Sequence, residues 1–227
     1  LSWIFFSAYQ CAIRYHFKQK TRATISLAVR EISAAPIKTT FDNKKNILLI
    51  SGKKSWLVST NVDMILLYVK LGEPIKFPLN NKTSFLNSVL VPLYRDKSTI
   101  RETFDKVKFL RNLNQGSLTL KKTKITSETI FSWKKIRGFG YIEQFFVMLS
   151  LGIFFVSKVN NIKYKRMFFK AVKALISDFN TRNSPKMTVR FHKKHFKKMI
   201  HIFDSLPERK VIIGWEFDKN IFFNLLK

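Results

Sequence analysis

Short apolar runs separated by basic, turn-forming stretches set the pattern of this chain. Ile47-Leu48-Leu49-Ile50 is a compact apolar run, closed by Ser51-Gly52-Lys53-Lys54, and reads as a first strand. Val58, Val62, Ile65, Leu66 and Val69 follow at i, i+4, i+7, i+8 and i+11, which puts them on one face of a helix. Gly72 stands just past Leu71, where a helix stop is expected. Pro74 and Pro78 flank Phe77 and mark extended chain at a sheet edge, so a second strand is expected over Ile75 to Val91. A basic loop spans Pro92 to Lys106, and a third strand is expected at Val107 to Leu113. Asn114-Gln115-Gly116-Ser117 reads as a turn. Thr126 or Ser127 can cap a second helix, with Glu128 in its first turn, Ile130 and Trp133 inside, and Gly138 and Gly140 at its end. Tyr141 to Leu149 completes the set as a fourth strand. The order β-α-β-β-α-β predicts an α+β fold, the ferredoxin-like split βαβ, with a four-stranded sheet and two helices on one face.

This domain is expected over residues 45–149, with an N-terminal extension over 1–44 and a basic α/β C-terminal extension over 150–227. Ala23 to Ile32 reads as a short helix ended by Ala34-Ala35-Pro36. Beyond Gly152, Phe168, Ala171, Leu175 and Phe179 form one helical stripe, and Phe196, Met199, Ile200 and Phe203 form another. Asn183-Ser184-Pro185 separates them, and Met187 to Phe191 and Val211 to Phe217 read as strands. Phe139 to Val156 is the most apolar window. Its uncharged part, Gln144 to Ser157, is short for a bilayer crossing, so a buried strand and turn is expected and no membrane insertion.

Charge narrows the choice of partner. The chain has 42 Lys and Arg against 14 Asp and Glu, a net charge of +28. Such an imbalance contributes nothing to a fold and implies a polyanionic partner. A hydrophobic content of 46% excludes a disordered basic tail. Cys11 is the sole cysteine, which excludes a disulfide framework within this chain and a cysteine-based zinc cluster. His192, His195 and His201 lie close in sequence, but no cysteine or carboxylate pair completes a metal set at familiar spacing. Gly138-Phe139-Gly140 lacks the ending of a phosphate loop. Asp63, Asp96, Glu102 and Asp105 are scattered, with no pattern suited to acid–base or two-metal chemistry. The reading is therefore of a binding protein with no catalytic residue, no metal, no cofactor and no small-molecule substrate. Lys53, Lys54, Arg95, Lys97, Arg101, Lys106, Lys108, Arg111, Lys121, Lys122, Lys193, Lys194 and Lys197 are the expected phosphate contacts, with Tyr94 able to stack on a base.

Two blocks carry a family resemblance. Gly72, Pro74, Ile75, Pro78, Val89, Leu90, Pro92, Asp96, Lys97, Ser98, Arg101, Glu102, Phe104 and Asp105 fall in the order of a Gly-Pro-Ile-Pro-Leu-Pro run, a strand and a basic loop. Thr126-Ser127-Glu128-Thr129-Ile130 and Gly140-Tyr141-Ile142-Glu143 follow as a last helix and strand. In this the chain resembles the family of the tenth protein of the small ribosomal subunit, over about Lys45 to Leu149. It departs at Glu73 and Ile100, which are extra, and at Val107-Lys108-Phe109, where that family has Arg-Thr-His. The resemblance implies a structural protein of the small-subunit head that binds ribosomal RNA. Its loop would pack near proteins three and fourteen of that subunit, with protein nine close by and with Leu93 and Phe104 as protein contacts. Abundant Phe, Lys, Asn and Ile and a start at Leu1 fit a product of an AT-rich organellar genome, hence the mitochondrial matrix. The alternatives are a nucleic-acid-processing factor, such as a maturase or nuclease, and an accessory subunit of a mitochondrial membrane complex.

Overall fold

The structure, a computed structural model, describes residues 1–18, 22–29, 36–42, 44–58, 62–79, 82–94, 100–104, 112–126, 131–132, 138–182, 184–212 and 215–226. The chain divides into two compact units. One comprises Thr21–Lys106 and Leu113–Ile136; the other comprises Leu1–Lys20, Val107–Asn112 and Arg137–Lys227.

Among the described residues the first unit is all β. Its strands are β1 (Ile25–Ala28), β2 (Lys38–Asp42), β3 (Ile47–Leu57), β4 (Met64–Leu79), β5 (Lys82–Tyr94), β6 (Ile100–Phe104), β7 (Gly116–Thr126) and β8 (Phe131–Ser132). They form two four-stranded sheets, in the orders β1-β4-β5-β8 and β2-β3-β7-β6. The strand β1 runs parallel to β4, with Ile25 opposite Met64, while every other pair is antiparallel. The strands β4 and β5 form a long hairpin from Met64↔Tyr94 to Leu79↔Lys82, with a register shift between Lys70 and Ile75. Pro74 and Pro78 lie past the four residues of β4 that pair with β1, so their missing N–H groups leave no gap in the β1 ladder.

The ferredoxin-like expectation is wrong, and the reason lies in Val58 to Val69. Its apolar positions fit a helical stripe, but Met64 to Leu67 are all buried, as is Val69. A continuous apolar run buried on both faces is the pattern of a central strand, and β4 lies between β1 and β5. Burial on both sides overrides the stripe. The expected helix at Ala23 to Ile32 is replaced over Ile25–Ala28 by β1. The expected third strand, Val107 to Leu113, and the second helix near Ser127 to Arg137 fall almost wholly outside the described residues.

Gly52 fixes the bend in β3. It has φ of +134°, and a β-carbon there would lie 2.5 Å from the carbonyl oxygen of Pro36. The ladder between β3 and β7 shifts register at this point, between Ile50 and Gly52. Lys122, at φ 48°, faces the bend and donates its backbone N–H to Ser51 Oγ at 2.9 Å.

The second unit is helical: α1 (Ser2–Phe17), α2 (Phe139–Lys158), α3 (Ile162–Arg182), α4 (Pro185–Ser205), a 3-10 turn (Pro207–Val211) and α5 (Trp215–Leu225). The expected strand at Tyr141 to Leu149 is the first half of α2. Gly138, read from sequence as a helix end, instead begins one: it is the N-cap, with φ of +83°. The two helical stripes are found in α3 and α4, where Phe168, Ala171, Leu175, Phe196, Met199, Ile200 and Phe203 are buried. Met187 to Phe191 and the Trp215 region, expected as strands, are helical. Pro185 at the first turn of α4 makes that segment a good helix start. Among the described residues α2 alone is long and apolar enough to cross a bilayer, at a mean hydropathy of 1.7. It packs against α1, α3 and α4.

The helices meet at Gly152. A β-carbon on Gly152 would overlap the Val172 methyl group of α3 and lie 3.3 Å from Phe196 of α4. Above it Phe155 stacks on Phe203 at 4.5 Å and meets Phe168 at 5.3 Å, while Phe203 meets Trp215 at 4.8 Å. Trp215 donates Nε1–H to Asp204 Oδ1 at 2.7 Å, and Lys219 Nζ donates to both Asp204 oxygens at 3.2 Å. These bonds tie α5 to the end of α4. Burial pushes the Asp204 carboxyl up, but hydrogen bonds from Trp215, Lys219 and Arg209 outweigh it and hold the group below its ordinary 3.8.

Gly152→Leu is expected to cost roughly 1–3 kcal/mol by overpacking this contact. Gly52→Ala is expected to cost roughly 2 kcal/mol or more, because strain and a backbone clash act together. Chemical denaturation of the full chain checks both. A variant as stable as the parent would mean that the neighbouring helix or strand moves aside freely.

Candidate functional site

An open cleft of about 900 Å³ lies between α3 and α4 in the helical unit. Its apolar lining comes from Ala171 and Ala174, with Met167 of α3 and Phe191 of α4. Its rim is cationic, with Lys170 from α3 and Lys194, Lys197 and Lys198 from α4. On α4, Phe191, Lys194, Lys198 and His201 recur at helical spacing, so one stripe of that helix faces the opening. Phe191 is 67% exposed, and the Arg182 guanidinium lies over its ring at 5.3 Å.

One wall is locked. His192 is buried, and its Nε2 lies 3.0 Å from Asp178 Oδ2 across the two helices. Arg182 donates Nε–H to the same oxygen at 3.3 Å. The His192 hydrogen bond, aided by Arg182, holds the Asp178 carboxyl below its ordinary 3.8. Burial, with His192 and Lys198 nearby, lowers His195 from its ordinary 6.5, which favours a neutral imidazole at the rim. Among the described residues no group of three or more His, Cys, Asp and Glu side chains is placed to hold a metal.

A second feature lies on α2. Phe139, Glu143 and Phe146 share one face at i, i+4 and i+7. Rings from α1 pack on both aromatics: Tyr9, His16 and Phe17 on Phe139, and Tyr15 on Phe146. Glu143 lies between them in that stripe, and burial pushes its carboxyl up from 4.5 to about 7. A carboxyl poised near neutrality can take up and release a proton at working pH. The one-turn spacing of a glutamate inside an aromatic stripe was present in the sequence, but the expected strand over Tyr141 to Leu149 put Phe146 on the face opposite Glu143.

The described residues among those expected to touch phosphate fall in both units. Lys54 is fully buried: its Nζ donates to the Val29 carbonyl at 3.2 Å and lies 5.3 Å from the centre of the Tyr68 ring. Lys53 is half-buried, and Lys121 and Lys122 are exposed on β7. Tyr94 is exposed at the end of β5, while Leu93, the expected protein contact, belongs to the sheet core. Arg95, Lys97, Lys106, Lys108 and Arg111 lie outside the described residues. Arg101 and Phe104 are in β6, with their side chains outside the description. Lys194 and Lys197 line the α3/α4 cleft, and Lys193 lines a smaller recess beside the start of α2 with Gly138, Tyr141 and Arg190. The sequence reading missed the pairing of His192 with Asp178; a buried histidine facing a carboxylate one helix away carries no local signal.

No family model matches this sequence, and no curated protein matches it. Solved structures do resemble it in fold. FkbI, for biosynthesis of the methoxymalonyl extender unit of the Fk520 polyketide, matches with a TM-score of 0.63 at 8% identity, over 97% of this chain and 75% of its own. Butyryl-CoA dehydrogenase from Megasphaera elsdenii matches with a TM-score of 0.58 at 7% identity, over 96% of this chain and 74% of its own. An FAD-dependent dehydrogenase matches with a TM-score of 0.52 at 13% identity, over 99% and 67%. The chain thus has an acyl-CoA dehydrogenase-like fold. The expected ribosomal family, its RNA and protein partners and the non-enzymatic reading are overturned by this likeness. The processing-factor and membrane-complex alternatives do not fit it either.

Asp178 and Glu143 give the helical unit opposite pH dependences. The folded Asp178 value lies below 3.8, so its contribution is present at neutral pH and is lost as pH falls through 3.8 toward that lower value. Asp178→Asn is expected to leave less acid-induced loss in that window. Glu143 has a raised folded value, so the fold is favoured below pH 4.5 and loses that advantage as pH rises toward about 7. Glu143→Gln should therefore gain up to roughly 3 kcal/mol over the parent at pH 8, and little at pH 4. Melting curves from pH 3 to 8 test both; a Glu143→Gln profile parallel to the parent's would contradict the raised value.

Proposed function

We propose that this chain is a flavin-dependent oxidoreductase of the acyl-CoA dehydrogenase kind, acting on a CoA thioester. The observation that carries the reading is the likeness of fold across nearly the whole chain to butyryl-CoA dehydrogenase and FkbI. The strong positive charge agrees with a substrate built on a phosphorylated carrier. Glu143, whose carboxyl burial raises to about 7, is the described carboxyl best suited to accept a proton from a carbon acid.

The described residues, taken unit by unit, do not form a seat for a flavin. The α3/α4 cleft would suit a diphosphate by charge. Its polar groups are ammonium and imidazole side chains, whereas the edge of a flavin ring requires in-plane hydrogen-bond donors and acceptors. The N–H groups in the middle of α3 and α4 are bonded within their own helices and are not available for that edge. The flavin part of the reading therefore rests on the fold alone.

Purification of the full chain, followed by heat release and fluorescence of any retained flavin, tests the cofactor. Turnover of saturated acyl-CoA substrates of several lengths with an artificial electron acceptor tests the reaction. Flavin retention and acyl-CoA oxidation are expected, and Glu143→Gln is expected to lower kcat roughly 100-fold with KM little changed. A chain that retains no flavin and whose melting temperature no acyl-CoA shifts would overturn the proposal. Full turnover in Glu143→Gln would remove Glu143 from it.

A further inference from the structure

The α3/α4 cleft calls for an occupant of its own. Over their 42 residues α3 and α4 carry twelve Lys and Arg against two Asp. Both carboxylates serve contacts between elements: Asp178 holds His192 and Arg182, and Asp204 holds Trp215, Lys219 and Arg209. The rim cations Lys170, Lys194, Lys197 and Lys198 line one opening, so an anion bound there would relieve their mutual repulsion. The floor below them has the opposite character. Met167, Ala171, Ala174 and Phe191 form an apolar trough in which the alanines leave room between two helices. Phe191, 67% exposed, and Met187, 52% exposed, extend that apolar stripe along α4.

A small hydrophilic anion would satisfy the rim and leave the trough wet. An uncharged hydrocarbon would fill the trough and leave the lysines unpaired. One ligand class matches both. We infer that the cleft binds a phosphate-headed amphiphile, with the acyl chain in the trough over Ala171 and Ala174 and the head among Lys170, Lys194, Lys197 and Lys198. Lysine suits this head, since its compact charge meets phosphate without bidentate geometry. The long lysine stems also line the passage from apolar floor to charged rim. Such an amphiphile is met either as a free monomer or as a lipid within a bilayer. The inference does not depend on the flavin reading, because the cleft lies wholly within the helical unit and the measurement is of binding, not turnover.

The test uses the full chain and dodecyl phosphate below its micelle concentration, followed by calorimetry. Saturable binding at one site is expected, weakened by salt and weaker still for dodecanol, which lacks the charged head. Ala174→Trp fills the trough from an exposed position, so the fold is expected to survive, with an unchanged circular dichroism spectrum. It should weaken dodecyl phosphate at least tenfold. Lys194→Glu combined with Lys198→Glu should do the same by reversing the rim. A second arm sediments the protein with phosphatidylcholine vesicles, with and without phosphatidic acid. Binding of monomer alone identifies a soluble ligand; binding of both, each lost in Ala174→Trp, identifies a lipid taken from the bilayer. Absence of saturable monomer binding, or binding to either form that survives Ala174→Trp, overturns the inference.

Discussion

The helical unit depends on the contact made by a side chain that is absent. At Gly152 the surface of α2 is flat, and Val172 and Phe196 close onto it from α3 and α4. Only this approach brings Phe155 against both Phe168 and Phe203, and hence Phe203 against Trp215. Trp215 in turn places its N–H on Asp204, so the position of α5 follows from the packing of α2. Close packing of this kind transmits a change of one methyl group, because the interior holds no slack to absorb it. Near the cleft the logic is reversed: α3 and α4 are held together at the Gly152 contact and by the His192–Asp178 bond, and small residues at 171 and 174 leave the open trough.

Legibility in the sequence followed the uniqueness of the period. The stripes of α3 and α4 stand out because Phe168, Ala171 and Leu175, or Phe196, Met199, Ile200 and Phe203, are separated by lysines that cannot be buried without partners. No strand reading accommodates them. Met64 to Val69 and Phe139 to Val156 offered no such contrast. Both are nearly continuous apolar runs, and such a run has no period with which to choose between strand and helix. One became β4 and the other α2, each the reverse of what was expected. The deciding information lay in partners distant in sequence: β1 and β5 around β4, and α1, α3 and α4 around α2. The family resemblance compounded the error, since Gly72, Pro74 and Pro78 also suit a long hairpin strand beyond the reach of β1.

Charge misled in a different way. A net +28 was read as a requirement for a polyanion, with every lysine pair a candidate contact. Lys54 shows why a composition cannot be assigned residue by residue. It lies on β3, next in sequence to the half-buried Lys53, so the period of the strand alone sends one inward. Inside, its ammonium is satisfied by the Val29 carbonyl and the face of Tyr68. A buried lysine with such partners contributes to joining β1 and its loop to β3, and is lost to any ligand.

Asp178 and Glu143 show how carboxylates serve opposite ends. Asp178 is kept ionised because His192 and Arg182 bond to its charged form, and that favours a fixed contact between α3 and α4. Glu143 is driven toward its neutral form because burial disfavours its charge. The first arrangement stabilises the fold at neutral pH; the second opposes the ionised state there. The sign of the shift separates a carboxyl held by bonds to its charged form, Asp178, from one whose charged form is disfavoured by burial, Glu143.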